Sequence, residues 1–156
     1  ALQVLATDTC AFTTAQKAMW KGDFTKIPYG LPGVETLIPT MFTHLVKKNR
    51  FSLEKFVALT SANPAKIFGL YPRKGVIRPG ADADIVVFDP KRKITLDAKR
   101  LVSTCDYTPF QGMALTGYPH LTFLRGKLIA RDGKFGGARG AGQFVKRTPG
   151  GKASDQ

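Results

Sequence analysis

Residues 65–90 read AKIFGLYPRKGVIRPGADADIVVFDP, and the periodicity of the chain changes inside them. Ala65 to Leu70 carries Ile67, Phe68 and Leu70 at helical spacing. After Tyr71-Pro72-Arg73-Lys74-Gly75 that spacing gives way to short apolar runs, Val76-Ile77 and Ile85-Val86-Val87-Phe88, cut by Pro79-Gly80 and Asp89-Pro90. Runs of β-branched and aromatic residues between Gly, Pro and Asp read as strands joined by tight turns. The stretch therefore marks a boundary, with the end of an α/β domain before it and a small β module after it.

Before the boundary, the apolar run Leu2 to Ala6 reads as a strand and Thr7-Asp8-Thr9-Cys10 as its polar strand-end loop. Asp23 to Gly33 is a loop rich in Gly and Pro. A helix is predicted from Val34 to Lys48, where Leu37, Ile38, Met41, Phe42, Leu45 and Val46 recur every three or four residues. Pro39 stands early in it, where a missing N–H is tolerated. Ser52 is the expected N-cap of a second helix with Phe56, Val57 and Leu59 on its apolar face. Ser61-Ala62-Asn63-Pro64 is expected to reset the chain before the short helix at Ala65.

After the boundary, Lys93-Ile94-Thr95-Leu96 is a further candidate strand. Leu121 to Leu124 and Leu128 to Ala130 flank Arg125-Gly126-Lys127 as a hairpin. The boundaries that follow are 1–72 for the α/β part, 73–135 for the β part and 136–156 for a basic, Gly-rich tail.

Composition narrows the classes. With 43% hydrophobic residues the chain can bury a core. No run approaches the roughly 18 apolar residues of a spanning helix, and no membrane partner is expected. Cys10 and Cys105 lie far apart without CxxC spacing, so neither a disulfide framework nor a thiolate zinc site is expected, and the cytoplasm is the expected compartment. The net charge of +13 is spread over short groups such as Lys91-Arg92-Lys93 and Lys146-Arg147. Without interleaved aromatics it reads as a solvated surface rather than a nucleic-acid interface.

Particular segments carry a resemblance. Asp8-Thr9-Cys10-Ala11-Phe12, Gly22-Asp23-Phe24-Thr25-Lys26-Ile27-Pro28, Gly33-Val34-Glu35, Ala65 to Gly75, Gly80 to Pro90, Phe110-Gln111-Gly112-Met113 and Gly142 to Arg147 occur in order. In this, nearly the whole chain resembles the hydantoinase and dihydropyrimidinase branch of the cyclic amidohydrolases. The resemblance implies an α/β fold: the C-terminal end of a TIM-barrel domain whose last strand ends at Asp8, followed by part of a small β-sandwich. It implies two divalent ions, usually zinc, with Asp8 as a metal ligand and proton shuttle. A carboxylate at the mouth of a barrel strand faces the loop-lined pocket where such enzymes react. There it can take a proton from the attacking water and hand it to the leaving nitrogen. The resemblance further implies that the main chain of Ile27-Pro28-Tyr29-Gly30 holds the ring of a cyclic amide or ureide. Many members carry Asn where this chain has Tyr29, which bears on substrate range. Cys10 is expected to be a buried wall of the same pocket.

The family's metals need several imidazoles, yet the chain has two histidines, His44 and His120. His44 is read as a helix-face residue and His120 as a surface residue in a turn; neither has HxH or HExxH spacing. Asp82 and Asp84 are read as turn and sheet-edge residues. The chain begins at Ala1 in an apolar run, and is expected to be the C-terminal part of a longer enzyme, inactive and weakly zinc-binding by itself. Its expected partners are the N-terminal portion and further copies in a tetramer, reached by the tail. The resemblance extends to dihydroorotases and allantoinases through Gly33 to Pro39. Non-catalytic assembly proteins related to dihydropyrimidinase are the other alternative, and Asp8 argues against them.

Overall fold

A computed structural model describes residues 2–148. The first half is helical. A one-turn helix α1 (Thr14–Ala18) is followed by a 3₁₀ turn at Phe24–Lys26. Helix α2 (Leu37–Met41) runs directly into a wide π turn, Phe42–Val46. This is the helix predicted from the apolar period, shorter at both ends, with Pro39 inside its first turn and its side chain fully buried. Asn49 ends the turn in the left-handed region (φ 54°), as a residue following a helix commonly does.

The next helix starts where Ser52 accepts the Lys55 N–H, at 3.1 Å. It does not reset at Pro64. Helix α3 (Leu53–Val57), a π turn (Ala58–Ala62) and helix α4 (Asn63–Ile67) follow one another without a break. The i→i−5 bonding of that wide turn, closed by Asn63 N–H onto Ala58 C=O, brings in Pro64 just where no N–H is required, so the helix passes through it. The run Leu2 to Ala6 is not a strand. A strand needs a paired neighbour, and among the described residues its contact is with a helical turn, Leu5 N–H donating to Leu59 C=O at 3.1 Å.

The second half is one antiparallel sheet in the order β1-β2-β3-β4. Strand β1 (Ile85–Thr95) pairs with β2 (Ala114–Leu124), which continues into β3 (Lys127–Arg131) and β4 (Lys134–Phe135). Val76-Ile77 forms no strand. Asp89-Pro90 does not separate two strands either. It is an irregularity in the register of one, at which the Asp89 carboxylate accepts the N–H groups of Lys91 and Arg92 (2.9 and 3.2 Å). The expected hairpin is present, and both its turn residues are left-handed (Arg125 φ 47°, Gly126 φ 76°), matching the twist of the strands. A second turn of the same kind, Asp132-Gly133, adds β4. The first half of β2 escapes sequence reading because Thr116-Gly117-Tyr118-Pro119 looks like a breaker.

Gly117 is where the two halves meet. Phe42, 4% exposed, packs edge-on against Phe56 (centroids 6.0 Å apart) and tilted against Phe88 (4.6 Å). A Cβ on Gly117 would stand 2.3 Å from the Phe42 ring. Beside it the Thr43 hydroxyl accepts the Thr116 N–H at 3.0 Å and shares its hydrogen between the Pro39 and Thr116 carbonyls (2.8 and 3.0 Å). The tail segment from Gly136 to Thr148 turns back on the chain. Thr148 donates its N–H to Gly69 C=O at 2.9 Å, and Arg125 reaches Ala141 C=O at 2.5 Å. The rest of the expected tail, 149–156, and the chain start at Ala1 lie outside the described residues.

Gly117→Ala should therefore destabilise the fold by about 3 kcal/mol, combining overpacking against Phe42 with a positive φ (98°). The loss should appear as a lowered urea midpoint followed by circular dichroism.

Candidate functional site

Asp8 stands in an exposed loop with φ 47°, a left-handed conformation that Asp tolerates better than most residues. Its neighbours Thr7 and Thr9 are joined hydroxyl to hydroxyl at 2.8 Å. The loop from Ile27 to Gly33 lies against this segment. A Cβ on Gly30 would fall 2.3 Å from the Cys10 carbonyl oxygen and 2.5 Å from its Cβ, so only glycine allows so close an approach (φ 118°). Gly33 lies beside Thr7 and Thr9, where a Cβ would meet them at ordinary contact distances of 3.4–3.5 Å. The two segments expected to carry a carboxylate and a ring-holding main chain are thus brought together by packing. Tyr29 points away from the core and is 78% exposed. Cys10 is exposed, not a buried wall. Its carbonyl and Cβ lie against Gly30.

The chain between the two loops is fastened at several points. Thr13 and Gln16 form a reciprocal capping box at the start of α1 (3.2 and 2.7 Å). The buried Cys105 thiol donates to Phe12 C=O at 3.1 Å, and Asp106 accepts the Thr14 N–H at 2.8 Å. That bond holds the Asp106 carboxyl below its ordinary value. Lys17 Nζ donates to Pro28 C=O at 2.9 Å. Asp23 caps the 3₁₀ turn by accepting from the Thr25 hydroxyl (2.6 Å) and N–H (3.1 Å), which lower its pKa in that order. Of these fasteners, sequence reading finds none as a functional contact; only the Thr13 and Gln16 spacing is a local signal.

A second polar group lies on the sheet. His120 is in strand β2, not in a turn, and its Nδ1 is 2.9 Å from Asp132, which also pairs with Arg92. The guanidinium stacks over Tyr118 at 5.2 Å. His120 first, then Arg92, hold the Asp132 carboxyl below the usual range, while burial raises the Tyr118 phenol. His120, Asp132, Tyr118 and Glu35 border a cavity of about 590 Å³ that Thr9 also lines. Glu35 is tied into its wall by the N–H groups of Val102 (2.9 Å) and Ser103 (3.3 Å). His44 is half-buried in the π turn.

Asp82 and Asp84 converge on Lys74, whose ammonium is 2.8 Å from Asp82 and also contacts Asp84; Arg73 adds a bond to Asp82 at 3.0 Å. Desolvation lowers the Lys74 pKa, but the two carboxylates outweigh it and leave it raised. Asp84 also accepts the Arg125 N–H at 2.8 Å, tying this cluster to the hairpin. Among the described residues there is no group of three or more His, Cys, Asp or Glu side chains placed to hold a metal.

Residues 2–129 match the model of the amidohydrolase family. A D-phenylhydantoinase of Escherichia coli O1:K1 is 44% identical over 150 residues, covering 96% of this chain and 32% of that protein. A solved D-hydantoinase from Bacillus sp. AR9 superimposes with a TM-score of 0.93 at 42% identity, over 97% of this chain and 33% of that one. A dihydropyrimidinase from Brevibacillus agri NCHU1002 gives 0.93 at 40%, over 96% and 33%. The chain spans about a third of the length of the curated relatives it matches. Helices and antiparallel sheet therefore have the arrangement of the corresponding part of these structures.

The depressed Asp132 and Asp82 carboxyls fix the sign of an acid effect. Their stabilisation is fully present above the ordinary value of 3.8 and is lost as the pH falls through the lowered folded values. Asp132→Asn should accordingly lower stability near neutral pH and flatten its decline below about pH 4, read from circular dichroism along an acid titration.

Proposed function

The chain belongs to the amidohydrolase family, and on that premise we propose that it is part of a metal-dependent hydrolase of cyclic amides. The reaction is the opening of a dihydropyrimidine or hydantoin ring to an N-carbamoyl amino acid. The observation that carries the reading is the conformation of Asp8. A left-handed turn leaves its carboxylate exposed beside a loop that only glycine can bring so near, as a group held out toward a site requires.

Asp8 fits a divalent ion as one ligand. The described residues supply no cluster that would complete a site, so the remaining donors belong to other parts of the protein. The ions, zinc in this reading, would supply Lewis acidity at the amide carbonyl. Asp8 holds the proton released as water attacks and delivers it to the ring nitrogen as that bond breaks. The main chain around Tyr29 complements the alternating N–H and C=O groups of the ring. The exposed Tyr29 ring and Cys10 side chain border the substituent and set which rings are accepted. Residues 1–72 are read as barrel and 73–135 as sandwich. The two free cysteines agree with a reducing cytoplasm. A homotetramer is the assembly we propose; Phe144, 91% exposed on the returning tail, is an apolar side chain free to enter such a contact.

The test is hydrolysis of dihydrouracil and hydantoin by the full-length protein, with and without Asp8→Asn. Ring opening by the wild type and a loss of about 10³-fold in kcat for the variant are expected. A wild-type protein loaded with metal that opens neither ring would sink the reading.

A further inference from the structure

Lys17 is unusual for a basic residue of a strongly basic surface. Its ammonium donates to Pro28 C=O at 2.9 Å in a partly buried contact and lies 5.9 Å from the centre of the Phe12 ring. An ammonium is strongly hydrated and its stem is flexible. Docking it on a neutral carbonyl therefore costs hydration and rotamer freedom, and the contact persists only where the surroundings place both ends.

Both ends are placed here. The helix that carries Lys17 is capped by Thr13 and Gln16. Its entry is fastened at Phe12 C=O by the Cys105 thiol and at Thr14 N–H by Asp106. The acceptor lies in the loop whose next residues, Tyr29 and Gly30, lead into the close approach to Cys10. The main chain of residues 28–30 is thus gripped from two sides, by Lys17 at the Pro28 carbonyl and by the Cys10 backbone at Gly30. Remove the first grip and one side remains.

We infer that Lys17 is a positioning residue for the ring-binding loop. It acts through the Pro28 carbonyl and does not itself touch the substrate. Its part in substrate binding rests on the cyclic-amide reading above; its hold on the loop does not. Because it aligns main-chain groups that grip the ring before and during reaction alike, its removal should weaken binding more than turnover.

Two readouts test this in the full-length protein. In Lys17→Met, amide hydrogen exchange of residues 27–33 should quicken by about tenfold, the effect of losing one charge-assisted hydrogen bond. The KM for hydantoin or dihydrouracil should rise by about tenfold with kcat within about twofold. Lys17→Arg, which keeps a cationic donor, should restore both to within about threefold of wild type. If Lys17→Met does not fold, Lys17→Gln carries the test with the same expected rise. Unchanged exchange in the loop would overturn the inference, as would a fall in kcat with KM unmoved. Faster exchange in a protein whose wild type opens neither ring would support the hold of Lys17 on the loop and count against the cyclic-amide reading instead.

Discussion

The fold depends on the contact between the π turn after α2 and the middle of β2. Phe42 fills the space that a side chain at position 117 would take, and Thr43 supplies a hydroxyl to the Thr116 N–H and C=O. One element is helical and the other extended, so neither can satisfy the other through its own ladder. The side-chain hydroxyl makes the join. Without it, two partly buried backbone groups of β2 would lose that partner where the helix crosses. The wide turn at Phe42–Val46 presents Phe42 and Thr43 side by side to the same strand.

From that join the site is built outward along the chain by short, local fasteners. The loop bearing Asp8 and helix α1 contribute no residue to the buried hydrophobic core, and the loop from Ile27 to Gly33 contributes only Pro32. Much of what orders them is polar: a capping box, a thiol on a carbonyl, a carboxylate on an N–H, an ammonium on a carbonyl. Such contacts fix directions more than they add stability. That would suit the role proposed for this segment, holding a carboxylate and a stretch of main chain in register, since misplacement of a reacting group by about 1 Å can cost two orders of magnitude in rate.

The charged clusters show how a strongly basic chain keeps its acidic residues. Asp82 and Asp84 share Lys74, and Asp132 is shared by His120 and Arg92. Exposed pairs contribute little singly. Here each ties residues distant in sequence to the sheet: Lys74 and Arg73 before β1, Arg92 within it, His120 on β2. The short-range alternation of Asp82 and Asp84, which alone resembles a ligand pair, is explained by these cations.

How far the sequence reaches can be judged from particular elements. The apolar period from Leu37 to Val46, the Ser52 cap, the hairpin at Arg125-Gly126 and the change of period after Leu70 are local signals, and each stands in the structure. The family segments were legible for the same reason, as was the candidacy of Asp8, although its left-handed backbone was not. The sequence misled where a residue's local preference was overruled by a distant partner. Pro64 passes inside a helix because a π turn precedes it. Gly117 and Pro119 sit inside a strand because Phe42 fills the space at Gly117 and the register shifts beside Pro119. Leu2 to Ala6 forms no strand because no strand among the described residues lies beside it to pair. By itself, then, the sequence determined what depends on neighbours within a few residues: period, caps and tight turns, and it singled out Asp8 as the candidate carboxylate. Tertiary structure alone decided what depends on who approaches from far along the chain, as when Lys17 finds Pro28, Cys105 finds Phe12 and Thr43 finds Thr116, because hydrogen bonds and close packing between remote segments leave no periodic trace in the residues that make them.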